Sequence, residues 1–342
     1  MTHVLAVRLD NDGDVLLAGP AIRALAHGAD RVTLLHGPRG RRAAALLPGV
    51  DERLEWRAPW IDPEPDPVDA AAVEALVADI AGPAPDVGVI FGSFHQSPLP
   101  TALLLRLAGV PRVAATSVDY PGSLLDVRHR IDDDVHEVER ALDLAAAAGF
   151  PSPPGDDGAL RVLRPAAGAP LRVPAGDYVV VHPGASVPAR AWAPERNAAL
   201  VDALAADGRR VVVTGGPGEE ALTARVAGPP RPAVIDLGGR TPFPELAEVL
   251  AAARCVVVGN TGPAHLAAAV GTPVVSLFAP TVPAVRWRPW RVPHELLHVD
   301  VPCAGCRARV CPVAGHPCLG GVTVADVLGA VDRLAPALEA VA

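Results

Sequence analysis

The fold is decided by the stretch Cys255-Val-Val-Val-Gly259-Asn260-Thr261-Gly262-Pro263-Ala-His265-Leu-Ala-Ala-Ala-Val-Gly271-Thr-Pro273-Val-Val-Ser-Leu-Phe278. Two short runs rich in β-branched residues enclose an Ala-rich segment, a pattern typical of two parallel strands joined by a crossover helix. Pro263 suits the first helical turn, where its missing N–H would lack a partner anyway. The N–H groups of that turn predict an anion-binding site. An ordinary connection with a capping Asn or Thr is the alternative.

Both halves of the chain repeat this alternation of strand and helix. In the first half, strand-like runs cover 3–9, 32–35, 87–91 and 112–116, and helical runs cover 15–26, 41–47, 70–81, 101–107 and 136–148. In the second half, strand-like runs cover 178–182, 210–214 and 234–237, and helical runs cover 197–206, 218–226 and 243–253. The pattern predicts an α/β protein with two Rossmann-like parallel-sheet domains facing across a cleft.

The boundary between the two halves is marked by composition. The segment 151–174 is dense in Pro, Gly and Asp, which predicts an interdomain linker. We therefore expect an N-terminal domain over 1–165 and a C-terminal domain over 175–322. Ligands of open α/β sheets bind beyond the carboxyl ends of the strands, so the loops that follow the strands are the places to search.

Composition excludes several classes of protein. The chain of 342 residues carries a net charge of -8, which argues against nucleic-acid binding. No run of about twenty residues lacks both charge and Pro, and the N-terminus has no signal-peptide pattern, so we expect a cytoplasmic protein. All basic side chains other than His are Arg, because no Lys occurs. Phosphate contacts must then come from Arg or the backbone.

The loop after the first strand is acidic. It reads Asp10-Asn-Asp12-Gly13-Asp14 and lacks the Gly-x-Gly-x-x-Gly pattern that lets a dinucleotide approach the backbone. Three carboxylates would repel a phosphate, and the spacing does not fit a calcium loop, so neither a nicotinamide cofactor nor a metal is expected here. Asp14 is a candidate to accept a proton from a hydroxyl group. The alternative is a first-turn Asp stabilised by the helix dipole.

The loops of the second half have the opposite character. They contain His182-Pro-Gly184-Ala-Ser186, Arg190-Ala-Trp192 and Thr214-Gly215-Gly216-Pro-Gly-Glu219-Glu220. Their small residues allow close approach of a ligand, and Arg190 can bind phosphate oxygens. With Asn260, Thr261 and Gly262 they predict a cradle for a diphosphate. Glu219 or its neighbour could accept hydrogen bonds from a ribose or base, or be a solvated first helical turn. His182 and His265 are either ligand contacts or hydrogen-bonded structural residues.

Four of the five cysteines lie close together in sequence. Cys303, Cys306, Cys311 and Cys318 fall within sixteen residues, whereas Cys255 lies in an apolar run and is expected in the core. The first pair has a common zinc spacing, so a structural metal site for Zn²⁺ is one hypothesis. Free or reversibly oxidised thiols in a loop are the other.

Taken together, these motifs resemble glycosyltransferase family 9, the ADP-heptose:lipopolysaccharide heptosyltransferases, which have the GT-B fold. The resemblance is carried, in the family's order, by Arg8-Leu-Asp-Asn-Asp-Gly13-Asp14 through Arg23, His182-Pro-Gly184-Ala-Ser186, Arg190-Ala-Trp192, Thr214-Gly215-Gly216 and Asn260-Thr261-Gly262-Pro263-Ala-His265. The last piece is the most specific, and the Gly-Gly loop alone would be weak.

The resemblance implies roles for individual residues. Asp14 matches the family's catalytic base, with Asp12 and Gly13 beside it on the acceptor side. Arg190 falls where the family usually has Lys and would neutralise the leaving diphosphate, which Thr261 and Gly262 would bind. The family commonly has Asp where this chain has Asn260, a substitution that bears on donor identity. His182, Ser186, Thr214, Gly215, Gly216, Glu219 and His265 complete the donor side.

The expected function is an inverting, metal-independent transfer of a sugar, a heptose from ADP-heptose, to an acceptor hydroxyl in lipopolysaccharide core biosynthesis. The expected partners are a nucleotide sugar and a glycolipid or other hydroxyl-bearing acceptor, with no nucleic acid. The resemblance implies a cytoplasmic monomer with at most peripheral contact at the inner face of the membrane. It also implies that the closing helix, 323–342, packs back on the N-terminal domain. A GT-B sugar-nucleotide epimerase and a non-catalytic nucleotide- or metal-binding protein are the alternatives.

Overall fold

The computed structural model describes residues 1–93, 95–164 and 177–336. It divides into two compact units, Met1–Leu163 and Arg164–Ala342. The division falls within a few residues of the predicted boundary. Most of the predicted linker, 165–174, lies outside the described residues.

The first unit is built on a six-stranded parallel sheet. Its order is β3-β2-β1-β4-β5-β6. The strands are β1 His3–Arg8, β2 Arg31–His36, β3 Glu52–Glu55, β4 Val87–Ile90, β5 Arg112–Thr116 and β6 Val127–His129. Because β1 and β4 are neighbours, the strand order reverses between them, which makes their carboxyl ends the topological switch point of this sheet.

Helices cover both faces of the first sheet. They are α1 Asp12–Gly28, α2 Arg41–Ala44, α3 Ala70–Ala81, α4 Leu99–Leu107 and α5 Glu137–Ala147. α1 packs against α5, and α3 packs against α4. Leu5 and Val7 of β1 share a core cluster with Leu76 and Ile80 of α3, because residues two apart on a strand point to the same face.

The second unit repeats the same plan with its own six-stranded parallel sheet, in the order β12-β11-β10-β7-β8-β9. The strands are β7 Val179–His182, β8 Val211–Val213, β9 Val234–Asp236, β10 Cys255–Gly259, β11 Val274–Leu277 and β12 His294–Leu297. The helices are α6 Pro194–Ala206, α7 Glu220–Ala227, α8 Phe243–Ala251, α9 Gly262–Ala269, α10 Ala284–Trp287, α11 Pro317–Gly320 and α12 Val324–Leu334. Here the switch point lies between β7 and β10. The predicted doubly wound α/β architecture of each half is confirmed.

The closing helix differs from the expectation drawn from the resemblance. Val327, Ala330 and Val331 of α12 belong to the hydrophobic core of the second unit, and the helix contacts α6 and the strands β10 to β12. Its apolar stripe is therefore buried against the second sheet, as expected of an amphipathic helix with a free sheet face beside it. The predicted helical segment extends to 342, and 337–342 lie outside the described residues.

Candidate active site

At the switch point of the first sheet, a buried arginine joins two carboxylates. Arg8 ends β1, and its Nη2 donates to Oδ1 of Asp14 and to Oγ of Ser93, each over 3.0 Å. Its Nε lies 3.0 Å from Oδ2 of Asp10. Asp14 sits in the first turn of α1, and its side chain is 18% exposed against 8% for Asp10. Of the two carboxylates beside Arg8, Asp14 is therefore the more exposed to solvent.

Burial dominates the electrostatics of this group. Burial alone would lower the pKa of Arg8, but the carboxylates of Asp10, Asp14 and Glu137 outweigh it and raise that pKa above its ordinary value. Burial raises the pKa of Asp10 to about 6, against the lowering effects of Arg8 and of a hydrogen bond from Gln96. A carboxyl group with a pKa near neutrality is common at functional sites.

Asp12 has a structural role that the sequence did not predict. Its Oδ1 accepts from the backbone N–H of Ala43 over 2.9 Å, and its Oδ2 accepts from Nε of Arg42 over 2.8 Å. Both oxygens thus tie α1 to the start of α2. The place of Asp12 on the acceptor side stays a prediction. Gly13 is buried in the first turn of α1.

In the second unit, a polar contact joins the last residue of β7 to the residue that follows β8. Nδ1 of His182 lies 3.0 Å from Oγ1 of Thr214, and both side chains are buried. This contact favours the structural interpretation of His182. Ser186, four residues further along the same loop, is exposed.

Glu219 folds back over the two glycine-containing loops. Its Oε2 accepts from the backbone N–H of Gly216 over 2.7 Å. A Cβ on Gly184 would lie 2.2 Å from Oε1 of Glu219, and one on Gly215 would lie 2.6 Å from the Cγ2 of Thr223. The small residues that were predicted to admit a ligand therefore also admit Glu219, whose carboxylate lies between the loops after β7 and β8.

Arg190 is brought to the end of β10 by its own backbone. It closes the 3-10 turn Pro188–Arg190, and its carbonyl oxygen would lie 2.8 Å from a Cβ on Gly259. Gly259 is the last residue of β10 and is followed directly by Asn260 and Thr261. A side chain at 259 would push the turn away, so glycine at this position lets the backbone of Arg190 pack beside the turn over 260–262.

The turn between β10 and α9 leaves hydrogen-bonding groups open to a ligand. Nδ2 of Asn260 donates to the carbonyl of Ala279 over 3.3 Å, while its buried Oδ1 has no hydrogen-bond partner among the described residues. Thr261 is the N-cap residue of α9, and its side chain makes no capping hydrogen bond there. The helix begins at Gly262, and His265 is buried within it. The predicted strand, turn and helix are thus confirmed.

The cysteine-containing loop rests on the same edge of the second sheet. The backbone N–H of Ala189 donates to Arg309 over 2.9 Å, and that of Arg307 donates to Thr281 over 3.0 Å. Cys303 and Cys306 are exposed, Cys311 is half-exposed and Cys318 is buried. In the part of the chain that is described, no three His, Cys, Asp or Glu side chains form a group that could hold a metal ion. The zinc site over these four cysteines stays a prediction.

Among the described residues, no helix combines the length and the apolar character that a bilayer span requires.

Comparison with known proteins identifies the family. A family model described as glycosyltransferase family 9 (heptosyltransferase) matches residues 95–316, well over half of the chain. The chain belongs to this family. The matched residues include the loops after β7, β8 and β10, whereas Arg8, Asp10 and Asp14 precede them.

Individual relatives agree with this assignment. Lipopolysaccharide heptosyltransferase 3 of Escherichia coli is 34% identical over 169 residues, which are 47% of this family 9 chain and 47% of the relative. The chain thus spans about half the length of the curated relatives it matches.

Two solved structures share the fold. A family 9 glycosyltransferase from Veillonella parvula has a TM-score of 0.75 at 16% identity, over 97% of each chain. An E. coli heptosyltransferase, solved with ADP-2-deoxy-2-fluoro heptose, has a TM-score of 0.71 at 21% identity over 97% of this chain and 99% of its own. The predicted GT-B fold is confirmed by these matches.

Sequence reasoning missed three residues of the first-unit site: Arg8 as an ion-pair centre, and Ser93 and Gln96 as its neighbours. Oγ of Ser93 accepts from Arg8, and the side-chain amide of Gln96 donates to Asp10. The sequence did contain a signal for Arg8, because this charged residue directly follows the apolar run of a buried strand. Buried arginine is rare unless it is paired.

Proposed function

We propose that this chain transfers a heptose from ADP-heptose to an acceptor hydroxyl group, with inversion at the anomeric carbon and without a catalytic metal. The observation that carries the proposal is the complementary chemistry at the two switch points. The first unit has a partly exposed carboxylate at Asp14, and in the second the backbone of Arg190 packs against Gly259, at the turn that leads into α9. The donor is proposed by similarity to the family 9 enzyme solved with an ADP-heptose analogue.

The first step is removal of a proton from the acceptor. Asp14 accepts it through the carboxylate oxygen that Arg8 does not bind. The acceptor oxygen then attacks the anomeric carbon from the face opposite the leaving group, so configuration is inverted. The attack passes through a state with oxocarbenium character, and holding both reactants in line supplies much of the rate.

The second requirement is stabilisation of the departing nucleoside diphosphate. Arg190 offers a delocalised charge and several N–H donors that match phosphate oxygens. Gly262 offers its backbone N–H group at the start of α9, where the helix dipole also favours negative charge. Thr261 precedes it as the N-cap residue, and its own N–H donates to the carbonyl of Gly259 over 2.8 Å. Positive charge from the chain itself thus replaces the role that a divalent cation has in metal-dependent transferases.

The acceptor is proposed to be a lipopolysaccharide, since the curated relative is a lipopolysaccharide heptosyltransferase. We further propose that the protein works as a monomer in the cytoplasm, at the inner face of the membrane where such an acceptor lies.

The test replaces the proposed base. Asp14→Asn should lower acceptor-dependent ADP release by at least about 100-fold, because general-base catalysis contributes that much or more. Affinity for ADP-heptose, measured by calorimetry, should stay near that of the wild type. The assay uses ADP-heptose and heptose-deficient lipopolysaccharide. Near wild-type turnover would show that Asp14 is not the base.

A matched control separates catalysis from helix stabilisation. Asp69 is the N-cap residue of α3, and its side chain accepts from the N–H of Ala71. Asp69→Asn makes the same chemical change at another helix N-terminus and should leave turnover unchanged. Conversion of ADP-heptose without any acceptor would instead indicate an epimerase, and binding without turnover would indicate a non-catalytic protein.

A further inference from the structure

We propose that Arg8 is a positioning residue for Asp14, and that Asp10, held by Gln96, offsets the charge of Arg8 so that Asp14 remains an effective proton acceptor. The inference rests on the proposed function, in which Asp14 is the base. It assigns roles to three side chains that contact neither the leaving group nor the transferred sugar in that mechanism.

The first argument is the way in which Asp14 is held. Arg8 binds Oδ1 of Asp14 over 3.0 Å, and no other described residue hydrogen-bonds to that carboxylate. Arg8 is itself fixed, because it ends β1, the strand that pairs with both β2 and β4 at the centre of the sheet. One oxygen of Asp14 is therefore anchored to the rigid part of the unit, and Oδ2 remains for the substrate hydroxyl.

The second argument is that the contact set requires an arginine. The guanidinium donates hydrogen bonds from Nη2 to Asp14 and Ser93, and its Nε lies 3.0 Å from Asp10 in an ion pair without hydrogen-bond geometry. Its planar group holds these nitrogens at fixed angles to one another. A lysine keeps the charge but has a single nitrogen on a flexible chain. It would hold one carboxylate and release the other.

The third argument concerns charge. An arginine paired with a carboxylate stabilises the ionised form and so weakens it as a base. Here Asp10 shares the same guanidinium at 3.0 Å, and Glu137 on α5 also acts on it electrostatically. The attraction that Asp14 feels is thereby reduced.

Asp10 is held by a small polar network of its own. The side-chain amide of Gln96 donates to Oδ1 of Asp10, and its Oε1 accepts from the backbone N–H of Ser93 over 3.0 Å. Burial, together with the neighbouring charge of Asp14, raises the pKa of Asp10 to about 6 against the lowering effects of Arg8 and Gln96. Protonation of Asp10 near that pH would remove its charge and leave Arg8 acting on Asp14 with less compensation.

The test compares Arg8→Lys and Asp10→Asn with the wild type by acceptor-dependent ADP release between pH 5 and 9. In the wild type, kcat should fall as the pH drops through about 6. In Asp10→Asn this limb should disappear, and kcat at pH 8 should be about tenfold lower. Arg8→Lys should lower kcat by about tenfold or more. KM for ADP-heptose should change by less than about twofold in both.

The matched control is Arg23 on α1, which binds Asp156 through Nε and Nη2 over 2.8 and 2.9 Å. Arg23→Lys loosens another largely buried arginine–carboxylate pair of the same unit. It should lower the melting temperature about as much as Arg8→Lys while leaving kcat and its pH profile unchanged. A purely structural role of Arg8 predicts equal effects of the two variants.

The outcomes distinguish the two proposals. Full turnover in Asp14→Asn would refute the base assignment, and the inference with it. A second outcome would overturn only the inference. In it, Asp14→Asn loses turnover, Asp10→Asn keeps the wild-type pH profile, and Arg8→Lys has no more effect than Arg23→Lys. Loss of the acid limb in Asp10→Asn, with a selective fall of kcat in Arg8→Lys, would support it.

Discussion

Gly259→Ala adds a single methyl group at the place where the Arg190 turn meets the end of β10. The new Cβ would lie 2.8 Å from the carbonyl oxygen of Arg190, whereas ordinary contact begins at 3.4 Å. The turn or the strand must therefore move by about 0.6 Å, and overpacking of this kind costs about 1–3 kcal/mol. Replacing a glycine also reduces the entropy of the unfolded chain, which returns about 0.4–1 kcal/mol.

The net loss should be about 1–2 kcal/mol, which for a unit of this size lowers the melting temperature by about 2–8 °C. Displacement of Arg190 should also weaken ADP binding by about tenfold. Thermal unfolding and calorimetric titration with ADP measure the two effects. Wild-type values in both would refute the close packing of Arg190 against position 259.

The control for this variant is Gly329→Ala in α12 of the same unit. A Cβ there would meet no atom closer than 3.5 Å, the Nη1 of Arg333, at the flexible end of its side chain. Alanine in a helix interior is favoured over glycine by about 0.5–1 kcal/mol. Gly329→Ala should therefore raise stability and leave ADP affinity unchanged.

Three further variants or reactions test other parts of the structure. Arg190→Ala should weaken ADP binding by about 10- to 100-fold, the value of hydrogen bonds to a charged group. Asp156→Asn should destabilise the first unit by about 3 kcal/mol at pH 7, because it breaks a largely buried ion pair. Hydrogen bonds from its arginine partner lower the pKa of Asp156, so its contribution is complete above 3.8, the ordinary value, and is lost as the pH falls below it. Cys303 and Cys306 should react quickly with a chromogenic thiol reagent, whereas Cys255, whose pKa burial raises to about 12, should react only on unfolding.

Each of these expectations has a result that contradicts it. Arg225 forms an exposed ion pair with Glu195, and a loss of ADP affinity in Arg225→Ala as large as in Arg190→Ala would point to general charge rather than a specific contact. A destabilisation by Asp156→Asn that stays constant down to pH 2 would contradict the ion pair. Rapid labelling of Cys255 in the native protein would contradict its position in the core.

Much of the fold was predicted from local sequence because its elements have local causes. The helix over 70–81 and the strand over 112–116 match the structure residue for residue. Three strands were missed: β3, β6 and β12. Each is an edge strand of its sheet, and only the fourth edge strand, β9, was predicted. β3 reads Glu-Arg-Leu-Glu and has no buried residue. Such a strand is defined by the hydrogen bonds of its neighbour, here β2, rather than by its own pattern.

The candidate site was predictable only in part. The acidic loop with Asp14 and the turn over 260–262 could be located from residue types, because loops after buried strands gather at one edge of a parallel sheet. The sequence alone also determined the alternation of strands and helices in both halves. The resemblance to family 9 followed from motifs in these loops.

Only the tertiary structure decided which polar side chains pair. Gln96 and Asp10 are 86 positions apart in sequence, and Arg8 and Ser93 are 85 apart. Nothing local distinguishes Asp12, which holds α2 in place, from Asp14, which is partly exposed to solvent. The physical reason is that a strand pattern determines which face of the sheet a side chain occupies. The partner of a buried charge is determined by the crossovers that bring distant loops to the same sheet edge.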